Sequence, residues 1–593
     1  MPFQKKWKLP LPSPTAPQLA REAGLTPLQA QLLINRGIRD KDTALSFLSP
    51  RLAEMVDPMR LKGMGEAART IIDAIEKREK ITIYGDYDAD GLTATALLLK
   101  FFSSLGLPAS SYIPNRLEEG YSLNSKAVKK IAEDGTALII TVDCGASSQK
   151  DIALARSLGM KVVVTDHHQL PSNFQADCPT VNPHQRGCLF PFKGLAGVGL
   201  AFFLAVALRS VLRERGWFVS RPEPDMKEYL DLVALGTVAD RAPLLDQNRL
   251  LVYSGMGIMA KTRWEGIRAM KEVAGLRGPL VTTDDLAFRL APRLNAPGRL
   301  GDPGVALNLL TVETPRLARD LALKINTAND RRQDLEREIL AQTEGLIRDS
   351  GGVEDQRTLF FGAENWHKGV LGIVASRLVA KYHRPSLIFN VQDGVAVGSG
   401  RSIDGFNLYE ALSRFDQLFD KFGGHAHAAG FTLKTDNLDT LRMELEGLAR
   451  KIIEDECLVP VIDVDAEVLL KDVTPEMIHE VGALSPFGEG NPEPLFCACS
   501  LEVLGSRVVG ERHLKLVVRQ GNKILEGIGF GLADRLPHVA EAISIVFTPE
   551  LNQWQGHEKI QLRIVDLILE NPGCKLDVFR TKNEEGFFSS GQG

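Results

Sequence analysis

The sequence predicts an α/β protein made of three folded parts in series: a domain around a parallel sheet, a smaller α/β domain and a terminal β-barrel. Three observations lead to this prediction. Strand patterns alternate with helical patterns from residue 81 to about residue 170, residues 313–349 keep helical spacing, and residues 459–569 carry short alternating β segments. The long helical segment is predicted to connect the first two domains.

Four predicted strands and the three helices between them define the first domain. The strands are Ile81–Tyr84, Ser111–Pro114, Ala137–Val142 and Lys161–Thr165, and the helices are Leu92–Leu105, Ser125–Ala132 and Gln149–Leu158. Because strands and helices alternate at this spacing, we expect a parallel sheet with helices on both faces. In such sheets, ligands bind beyond the carboxyl ends of the strands.

Two further segments belong to this domain by their apolar pattern. Glu66–Arg78 is an amphipathic helix that leads into the first strand. Gly194–Leu208 carries no charge, but it is shorter than the ~20 residues that span a bilayer, so it is predicted to be a buried helix. The sequence therefore predicts no membrane-spanning segment.

The domain boundaries follow from the points where these patterns change. Residues 1–65 are predicted to cap the domain that follows, and the parallel-sheet domain takes residues 66–312. The connecting helix takes 313–350, the smaller α/β domain 351–455, and the β domain 456–570. Five or six short strands in ~110 residues indicate an oligonucleotide-binding (OB) type of barrel. Residues 571–593 are predicted to be disordered.

The composition is typical of a globular protein in a reducing compartment. Of the 593 residues, 44% are hydrophobic and 24% are charged, which fits several folded domains. The seven cysteines are scattered, and the first residues lack the apolar core of a secretory signal, so we expect a cytoplasmic location. A net charge of −5 gives no global attraction for nucleic acid, although a local basic groove would suffice.

Acids follow three of the predicted strands, and this placement predicts a metal site. They are Asp86, Asp88 and Asp90 after the first strand, Asp143 after the third, and Asp166 with His167 and His168 after the fourth, while Asp240 ends an apolar run that fits a helix or a strand. A single Asp after a strand is more often the N-cap of the next helix, but capping alone does not account for this many acids and two imidazoles. Acids crowded in a dry cleft repel one another unless a cation lies among them, and such ligands suit Mg²⁺ or Mn²⁺.

With these residues in view, the sequence resembles the DHH superfamily of phosphoesterases and, within it, the RecJ branch. Four stretches are similar to the superfamily motifs: YGDYDADG at 84–91, TVDCG at 141–145, TDHH at 165–168 and ALGTVADRAPL at 234–244. Three later stretches look like motifs of the RecJ branch: RLNAPGRLGDP at 293–303, GSGRS at 398–402 and GGHAHAAG at 423–430. The resemblance implies a parallel-sheet DHH domain, a DHHA1 domain and an OB-like β domain.

The resemblance also implies a function and its cofactors. RecJ-type proteins are 5′-to-3′ exonucleases specific for single-stranded DNA, they act in DNA repair and recombination, and they need Mn²⁺ or Mg²⁺. Two-metal phosphodiester hydrolysis fits the acids and imidazoles of this sequence, and imidazole favours Mn²⁺. The predicted ligands are Asp143 as the bridge, Asp86 and Asp88 for one ion, and Asp90, His167 and Asp240 for the other.

Three further residues are predicted to act near the scissile phosphate. His168 would stabilise charge on the phosphate or protonate the leaving 3′ oxygen. Asp166 would orient one of the two histidines or bind metal. Arg293 is the candidate for a fork-like contact with the phosphate, and a surface ion pair is the alternative.

Residues of other motifs are predicted to hold the rest of the strand. A pocket for a terminal 5′ phosphate would block internal backbone and so make the enzyme an exonuclease. The candidates are Arg116, Ser399 and Arg401 for the terminal phosphate, Tyr121 for base stacking, and Asn295, Gly424 and His425 for further substrate contacts, with ordinary surface or core roles as the alternatives.

Two rival functions compete with this one. DHH relatives that hydrolyse short oligoribonucleotides or cyclic dinucleotides are usually shorter and lack a terminal β domain. A non-catalytic DNA-binding scaffold would have lost metal ligands, yet every predicted ligand is present. We therefore expect a monomer that acts on single-stranded DNA, with a helicase and a single-strand-binding protein as candidate partners.

Overall fold

The structure is a computed structural model, and it describes residues 5–116, 119–120, 122–171, 174–278, 280–539, 541–554, 557–570 and 578–581. The chain divides into two compact units. The first unit comprises Ser49–Asp334 and Pro486–Asn491. The second unit comprises Met1–Leu48, Leu335–Ser485 and Pro492–Gly593.

A five-stranded parallel sheet organises the first unit. Its strands, in spatial order, are Ala109–Tyr112, Ile81–Gly85, Leu138–Val142, Lys161–Thr165 and Thr180–Val181. Successive residues of one strand enter different hydrophobic clusters, since Ile139 packs in one cluster and Ile140 in another. Both faces of the sheet are therefore covered, and the predicted parallel sheet is confirmed.

Helices surround this sheet in the first unit. They are Met64–Glu76, Ala89–Ser104, Ser125–Glu133, Gln149–Ser157, Gly197–Glu214, Leu230–Ala239, Asp246–Ala260, Glu265–Val273, the π-helical turn Asp285–Leu290, Ala291–Leu300 and Gly304–Thr311. The uncharged segment predicted to be a buried helix lies mostly in Gly197–Glu214, whose first twelve residues are buried as expected. The apolar run before Asp240 is a helix and not a strand.

One long helix, Pro315–Asp349, leaves the first unit and continues into the second. At 1.5 Å per residue, its 35 residues extend over ~52 Å. Proline stands at its first position, where the missing N–H is not needed. The structure therefore contains the connecting helix that the sequence predicts.

A five-stranded mixed sheet forms the α/β part of the second unit. Its strands, in spatial order, are Phe419–His425, Ala428–Lys434, Val395–Arg401, Ser386–Gln392 and Leu359–Glu364. The last two strands pair in parallel, and the other neighbours pair antiparallel. The helices of this part are Leu371–Tyr382, Leu408–Ser413 and Leu438–Ile452.

A closed five-stranded barrel follows. Its strands, in order around the barrel, are Phe496–Val509, His513–Gln520, Lys523–Gly529, His557–Leu569 and Ala542–Trp554, and the last pairs with the first. The short strand Ala466–Glu467 adds to its edge, and the helix Pro475–Gly482 precedes it. The barrel confirms the OB-like architecture predicted from the short alternating strands.

The first 48 residues pack with this C-terminal part of the chain. Strand Lys6–Pro10 pairs in parallel with Val461–Asp463 and with Val578–Thr581, and Trp7 Nε1 donates to Asp566 Oδ2 at 2.9 Å. The helices Ala16–Ala23, Pro27–Asn35 and Lys41–Leu48 follow. The expectation that residues 1–65 cap the parallel-sheet domain is therefore corrected for residues 1–48, because their strand partners lie far along the chain and leave no local pattern.

The predicted disorder of residues 571–593 is wrong for residues 578–581, which form a strand. The rest of that segment lies outside the described residues. Among the helices that the structure describes, none combines the length and the apolar character that crossing a membrane requires.

Candidate metal centre

The carboxyl ends of three neighbouring strands bring the predicted acids together. Asp86 directly follows Ile81–Gly85, Asp143 follows Leu138–Val142, and Asp166 follows Lys161–Thr165. These strands are adjacent and parallel, so their ends meet at one edge of the sheet. Asp240 reaches the same place from elsewhere, as the residue that ends the helix Leu230–Ala239.

His167 lies at the centre of this cluster. Its Nε2 is 3.0 Å from Asp143 Oδ1 and 3.8 Å from Oδ2 of both Asp90 and Asp240. Among the described residues, three sets each place three potential ligand atoms within 4.8 Å of one another. The sets are Asp86, Asp88 and Asp143; Asp90, His167 and Asp240; and Asp143, His167 and His168. Asp143 thus belongs both with the first pair of acids and with His167, as a bridging ligand would.

Negative charge is crowded in this cluster, and the nearby cations His168 and Arg116 offset only part of it. Burial and then the Asp88 carboxylate raise the pKa of Asp86, and they raise the pKa of Asp90 to about 7. Burial and then Asp90 raise the pKa of Asp143, and they raise the pKa of Asp240 to about 9. Asp86 Oδ1 is buried and accepts no hydrogen bond from the residues that the structure describes. Carboxylates with an imidazole in this state fit Mn²⁺ or Mg²⁺.

The imidazole of His167 is neutral at neutral pH, as a metal ligand must be. Burial and the neighbouring His168 lower the pKa of His167 to about 4. The backbone carbonyl of Leu195 accepts a hydrogen bond from the ring, and Nε2 is the nitrogen that lies against Asp143. A hydrogen bond at Nδ1 leaves the lone pair of Nε2 for a metal ion.

His168 has a different environment. Its Nδ1 is 2.8 Å from Asp166 Oδ1, and the other oxygen of Asp166 accepts the Ala146 N–H at 2.9 Å. Burial is the largest single influence and lowers the pKa of His168, but the hydrogen bond to Asp166 and the negative charges of Asp166, Asp240 and Asp88 together outweigh burial and raise that pKa to about 9. Burial raises the pKa of Asp166, but the hydrogen bond from His168, the charge of His168 and the backbone N–H groups of Ala146 and His168 together lower that pKa below its usual value. At neutral pH, His168 is therefore a cation that donates from Nδ1 to Asp166 and carries its second proton on Nε2.

The first turn of the helix Gly197–Glu214 holds Asp90, and sequence reasoning missed this contact. The backbone N–H groups of Gly197 and Val198 donate to the two oxygens of Asp90 at 2.6 and 2.8 Å. A Cβ added to Gly197 would lie 2.6 Å from the Cβ of Asp143, so the helix approaches this closely because residue 197 is glycine. The glycines that open the apolar segment were the available signal for such a contact.

Backbone geometry sets the direction of two other predicted ligands. Asp143 has a φ of 62°, in the left-handed region that residues other than glycine seldom adopt. Asp88 is the N-cap of Ala89–Ser104, and its Oδ1 accepts the N–H groups of Asp90 and Gly91 at 3.0 and 3.1 Å. The capping role that often explains an Asp after a strand is therefore present at Asp88, beside its predicted metal role.

Two of the predicted substrate residues adjoin the loop that carries these acids. Asn295 Oδ1 accepts the N–H of Ala89 at 2.7 Å, and the Arg116 guanidinium lies 5.3 Å from the centroid of the Tyr87 ring. Arg293 donates hydrogen bonds to groups outside that loop. Its Nε donates to Asn326 Oδ1 at 2.9 Å, and its Nη1 donates to the carbonyl of Arg289, in the preceding π-helical turn, at 2.6 Å.

The remaining predicted substrate residues belong to the mixed sheet of the second unit. Arg401 Nη1 donates to Ser399 Oγ at 3.1 Å on the same strand. Gly424 has a φ of 151°, and a Cβ there would lie 2.2 Å from the carbonyl oxygen of Ala428. His425 is exposed. Tyr121 lies outside the described residues.

Comparison with known proteins identifies the family. Family models match three segments: the DHH family N-terminal domain at residues 80–237, the DHHA1 domain at 355–451, and the RecJ OB domain at 464–566. The single-stranded-DNA-specific exonuclease RecJ of Escherichia coli (strain K12) is 37% identical over 563 residues, which cover 92% of this chain and 96% of that protein. The chain belongs to the RecJ family. The RecJ protein of Bacillus subtilis (strain 168) is also 37% identical, over 95% of this chain and 70% of that protein.

Solved RecJ structures share the fold. The crystal structure of RecJ in complex with Mn²⁺ from Thermus thermophilus matches with a TM-score of 0.82 and 30% identity, covering 96% of this chain and 80% of that one. The complex with Mg²⁺ from the same organism matches with a TM-score of 0.76 and 29% identity, covering 96% and 79%. The predicted resemblance to RecJ and the predicted fold class are confirmed.

Proposed function

We propose that this chain is a 5′-to-3′ exonuclease that hydrolyses single-stranded DNA to mononucleotides and acts in DNA repair and recombination. The observation that carries the proposal is the buried cluster around His167, where each predicted ligand position holds a carboxylate or an imidazole. The RecJ relatives named above are single-stranded-DNA-specific exonucleases, which supports this substrate.

Two Mn²⁺ or Mg²⁺ ions are the proposed cofactors. Asp86 and Asp88 would hold one ion, Asp90, His167 and Asp240 would hold the other, and Asp143 would bridge them. When bound, such a pair supplies an activated water and neutralises charge on the phosphate. The buried, unpaired Asp86 oxygen and the raised carboxyl pKa values support a cation at this position.

His168 is the proposed acid of the reaction. Asp166 keeps it protonated at neutral pH and occupies Nδ1, so the proton available to substrate is on Nε2. A cationic imidazole can stabilise negative charge on the phosphate and then donate that proton to the leaving 3′ oxygen. Asp166 acts through His168 and is therefore a positioning residue.

Other residues are proposed to hold the DNA strand. The contacts assigned to them are the scissile phosphate for Arg293 and Asn295, the terminal 5′ phosphate for Arg116, Ser399 and Arg401, further phosphate for Gly424 and His425, and a stacked base for Tyr121. We further propose that the chain acts as a monomer in the cytoplasm, where a helicase would supply single strands and a single-strand-binding protein would keep them open.

The test is a time course on end-labelled single-stranded DNA with and without a 5′ phosphate, in Mn²⁺, in Mg²⁺ and in EDTA. Wild type should release mononucleotides stepwise from the 5′ end, and both EDTA and Asp143→Ala should abolish the release. Asp134→Ala, which removes an exposed carboxylate outside the cluster, is the matched control and should leave the rate unchanged.

Intact DNA in every lane would contradict the proposed activity. Short oligoribonucleotides and cyclic dinucleotides would then be tested as substrates in the same buffers. If wild type cleaves those molecules and Asp143→Ala does not, the proposed metal centre would stand and only the proposed substrate would change. Inactivity towards all three would favour a DNA-binding scaffold.

A further inference from the structure

One short backbone segment, residues 194–198, supports two of the proposed metal ligands. Two consecutive backbone N–H groups of this segment donate to the two oxygens of Asp90, at 2.6 and 2.8 Å. The carbonyl of Leu195, in the same segment, accepts a hydrogen bond from the ring of His167. The position of this segment therefore determines where the Asp90 carboxylate and the His167 imidazole lie relative to each other.

The loop that carries the third ligand of the same set packs against this segment. Asp240 belongs with Asp90 and His167 in one group of potential ligands, and Pro243 follows it three residues later. A Cβ added to Gly194 would lie 2.9 Å from Pro243 Cγ and 3.4 Å from its Cδ. The two stretches of chain approach this closely because residue 194 is glycine.

The side chain of Asn248 joins the two stretches. Asn248 lies near the start of the helix Asp246–Ala260 and is fully buried. Its Nδ2 donates to the carbonyl of Gly194 at 2.6 Å and to the carbonyl of Pro243 at 3.0 Å. A carboxamide nitrogen has two N–H donors, so each carbonyl receives one. Its Oδ1 is buried and accepts no hydrogen bond from the residues that the structure describes, so the two donated bonds are its polar contribution.

We propose that Asn248 is a positioning residue of the metal centre. By holding two carbonyls at a fixed separation, its amide sets the spacing between the segment that supports Asp90 and His167 and the loop that follows Asp240. It acts through the backbone and is not itself a ligand. Groups that orient metal ligands commonly contribute 10–100-fold to metal affinity. This inference rests on the proposed two-ion centre and concerns the ion assigned to Asp90, His167 and Asp240.

The neighbouring residue Gln247 provides a matched comparison. It is also a buried amide in the first turn of the same helix. Its Oε1 accepts the backbone N–H of Val56 at 2.9 Å, and its Nε2 donates to Asp246 Oδ1 at 2.8 Å. Neither partner belongs to the stretches that carry or support the proposed ligands. Replacing Gln247 therefore removes buried hydrogen bonds without releasing the metal centre.

The test measures Mn²⁺ binding to the full-length protein by calorimetry and by paramagnetic resonance, for wild type, Asn248→Leu and Gln247→Met. Leucine keeps the branching of asparagine and methionine keeps the linear shape of glutamine, but neither donates a hydrogen bond. Asn248→Leu should weaken the binding of one Mn²⁺ ion roughly 10–100-fold. The signal of an uncoupled ion should then appear at Mn²⁺ concentrations that give a coupled pair in wild type. Gln247→Met should bind both ions as wild type does, although urea unfolding should show that both variants lose stability.

The outcomes distinguish this inference from the proposed function. Wild-type Mn²⁺ affinity in folded Asn248→Leu, or equal weakening in Asn248→Leu and Gln247→Met, would overturn the positioning role and leave the two-ion centre intact. Wild type that binds no Mn²⁺ would contradict the centre itself and the inference with it. If Asn248→Leu does not fold, Asn248→Ser replaces it, because serine is smaller and keeps one donor. That variant should bind one ion at least about threefold more weakly, and unchanged affinity would again overturn the inference.

Discussion

The two ends of the helix Ala89–Ser104 carry opposite and unbalanced charge. Its N-terminal end bears Asp88 and Asp90 within a buried cluster of acids, and its C-terminal end bears the buried cation Lys100. The acids have the sign that the helix dipole favours at the N-terminal end, whereas Lys100 lies before the last turn, where the dipole has little effect. The dipole contributes only ~0.3–1 kcal/mol per charge, which is far less than the cost of burying several carboxylates together.

The two ends differ in whether hydrogen bonds from the protein partly stabilise the buried charge. At the N-terminal end, backbone N–H groups already hold Asp90 and Asp88, and charge remains in excess because five carboxylates share one small volume. At the C-terminal end, one ammonium has no acceptor among the described residues. A metal site can therefore be partly preorganised by hydrogen bonds from the backbone, whereas Lys100 has no hydrogen-bond acceptor among the described residues.

We expect the greatest loss of activity when His168, in the metal centre of the first unit, is replaced. His168→Ala should reduce kcat by roughly 10²–10⁴-fold, since it removes the proposed general acid. The measurement is the rate of nucleotide release in Mn²⁺, with binding of uncleaved DNA in EDTA as the check that substrate still binds. A variant within a few-fold of wild type would show that this imidazole does no proton transfer.

Asp166→Asn tests the positioning role separately. The protonated form of His168 is the active one, so activity should be lost as pH rises through its folded pKa of about 9. Without the Asp166 carboxylate that pKa should fall towards ~6.5, and the alkaline limb of the kcat profile should move to lower pH. A profile that only drops in height, without this shift, would mean that Asp166 does not control the protonation of His168.

Mn²⁺ affinity should rise with pH, because metal binding must remove protons from the acids. In the metal-free protein, the pKa values of Asp90 and Asp240 are about 7 and about 9. Between about pH 6 and about pH 8, each proton released should strengthen binding by up to ~tenfold per pH unit. Calorimetry in two buffers of different ionisation enthalpy measures both the affinity and the protons released. An affinity independent of pH would mean that the acids are already ionised before metal binds.

Gly197→Ala should disrupt the close contact between the helix Gly197–Glu214 and Asp143. The added Cβ would lie 2.6 Å from the Cβ of Asp143, so we expect a loss of about 1–3 kcal/mol in stability and weaker Mn²⁺ binding. Gly199→Ala is the matched control on the same helix, because the nearest atom to its Cβ is 3.6 Å away. It should stabilise the protein by about 0.5–1 kcal/mol, as measured by urea unfolding. Equal effects at both positions would show that the close approach of residue 197 to Asp143 does not cause the loss of stability.

The smallest effect is expected at the other end of the helix Ala89–Ser104. Lys100→Met should change the free energy of unfolding by less than ~1 kcal/mol, because it removes an ammonium that donates to no protein group. Lys271→Met should cost about 1–3 kcal/mol, because it leaves two carbonyls without their donor. Thermal or urea unfolding of both variants measures this, and a Lys100 variant as unstable as the Lys271 variant would point to a structural role for Lys100.

Much of the fold, and the clustering of the proposed metal ligands, could be predicted because their signals are local. An acid directly after an apolar strand is visible in the sequence, and the parallel arrangement of strands then places Asp86, Asp143 and Asp166 together. The contacts that orient these ligands are long-range: Leu195 to His167, and Asn295 to the N–H of Ala89. No spacing or motif encodes such pairs. The same reason explains why the sequence predicts neither the strand Lys6–Pro10 nor its pairing with Val461–Asp463 and Val578–Thr581.

Arg293 shows a limit of reasoning from motif alone. Its sequence context predicts a phosphate contact, but it does not predict that Nε donates to Asn326 and that Nη1 donates to the Arg289 carbonyl in the preceding π-helical turn. Lys100 shows the opposite limit. It is one of 70 basic residues and stands in an ordinary helical pattern, so only its burial and its lack of an acceptor among the described residues mark it.

The central claim is that the acids around His167 form a two-ion site bridged by Asp143. The most direct measurement is the number of Mn²⁺ ions bound per chain at saturation, by calorimetry and by paramagnetic resonance, for wild type and for Asp143→Asn. Wild type should bind two ions with magnetic coupling between them, and the variant should lose at least one ion and the coupling. A single uncoupled ion in wild type, or two coupled ions in the variant, would contradict it.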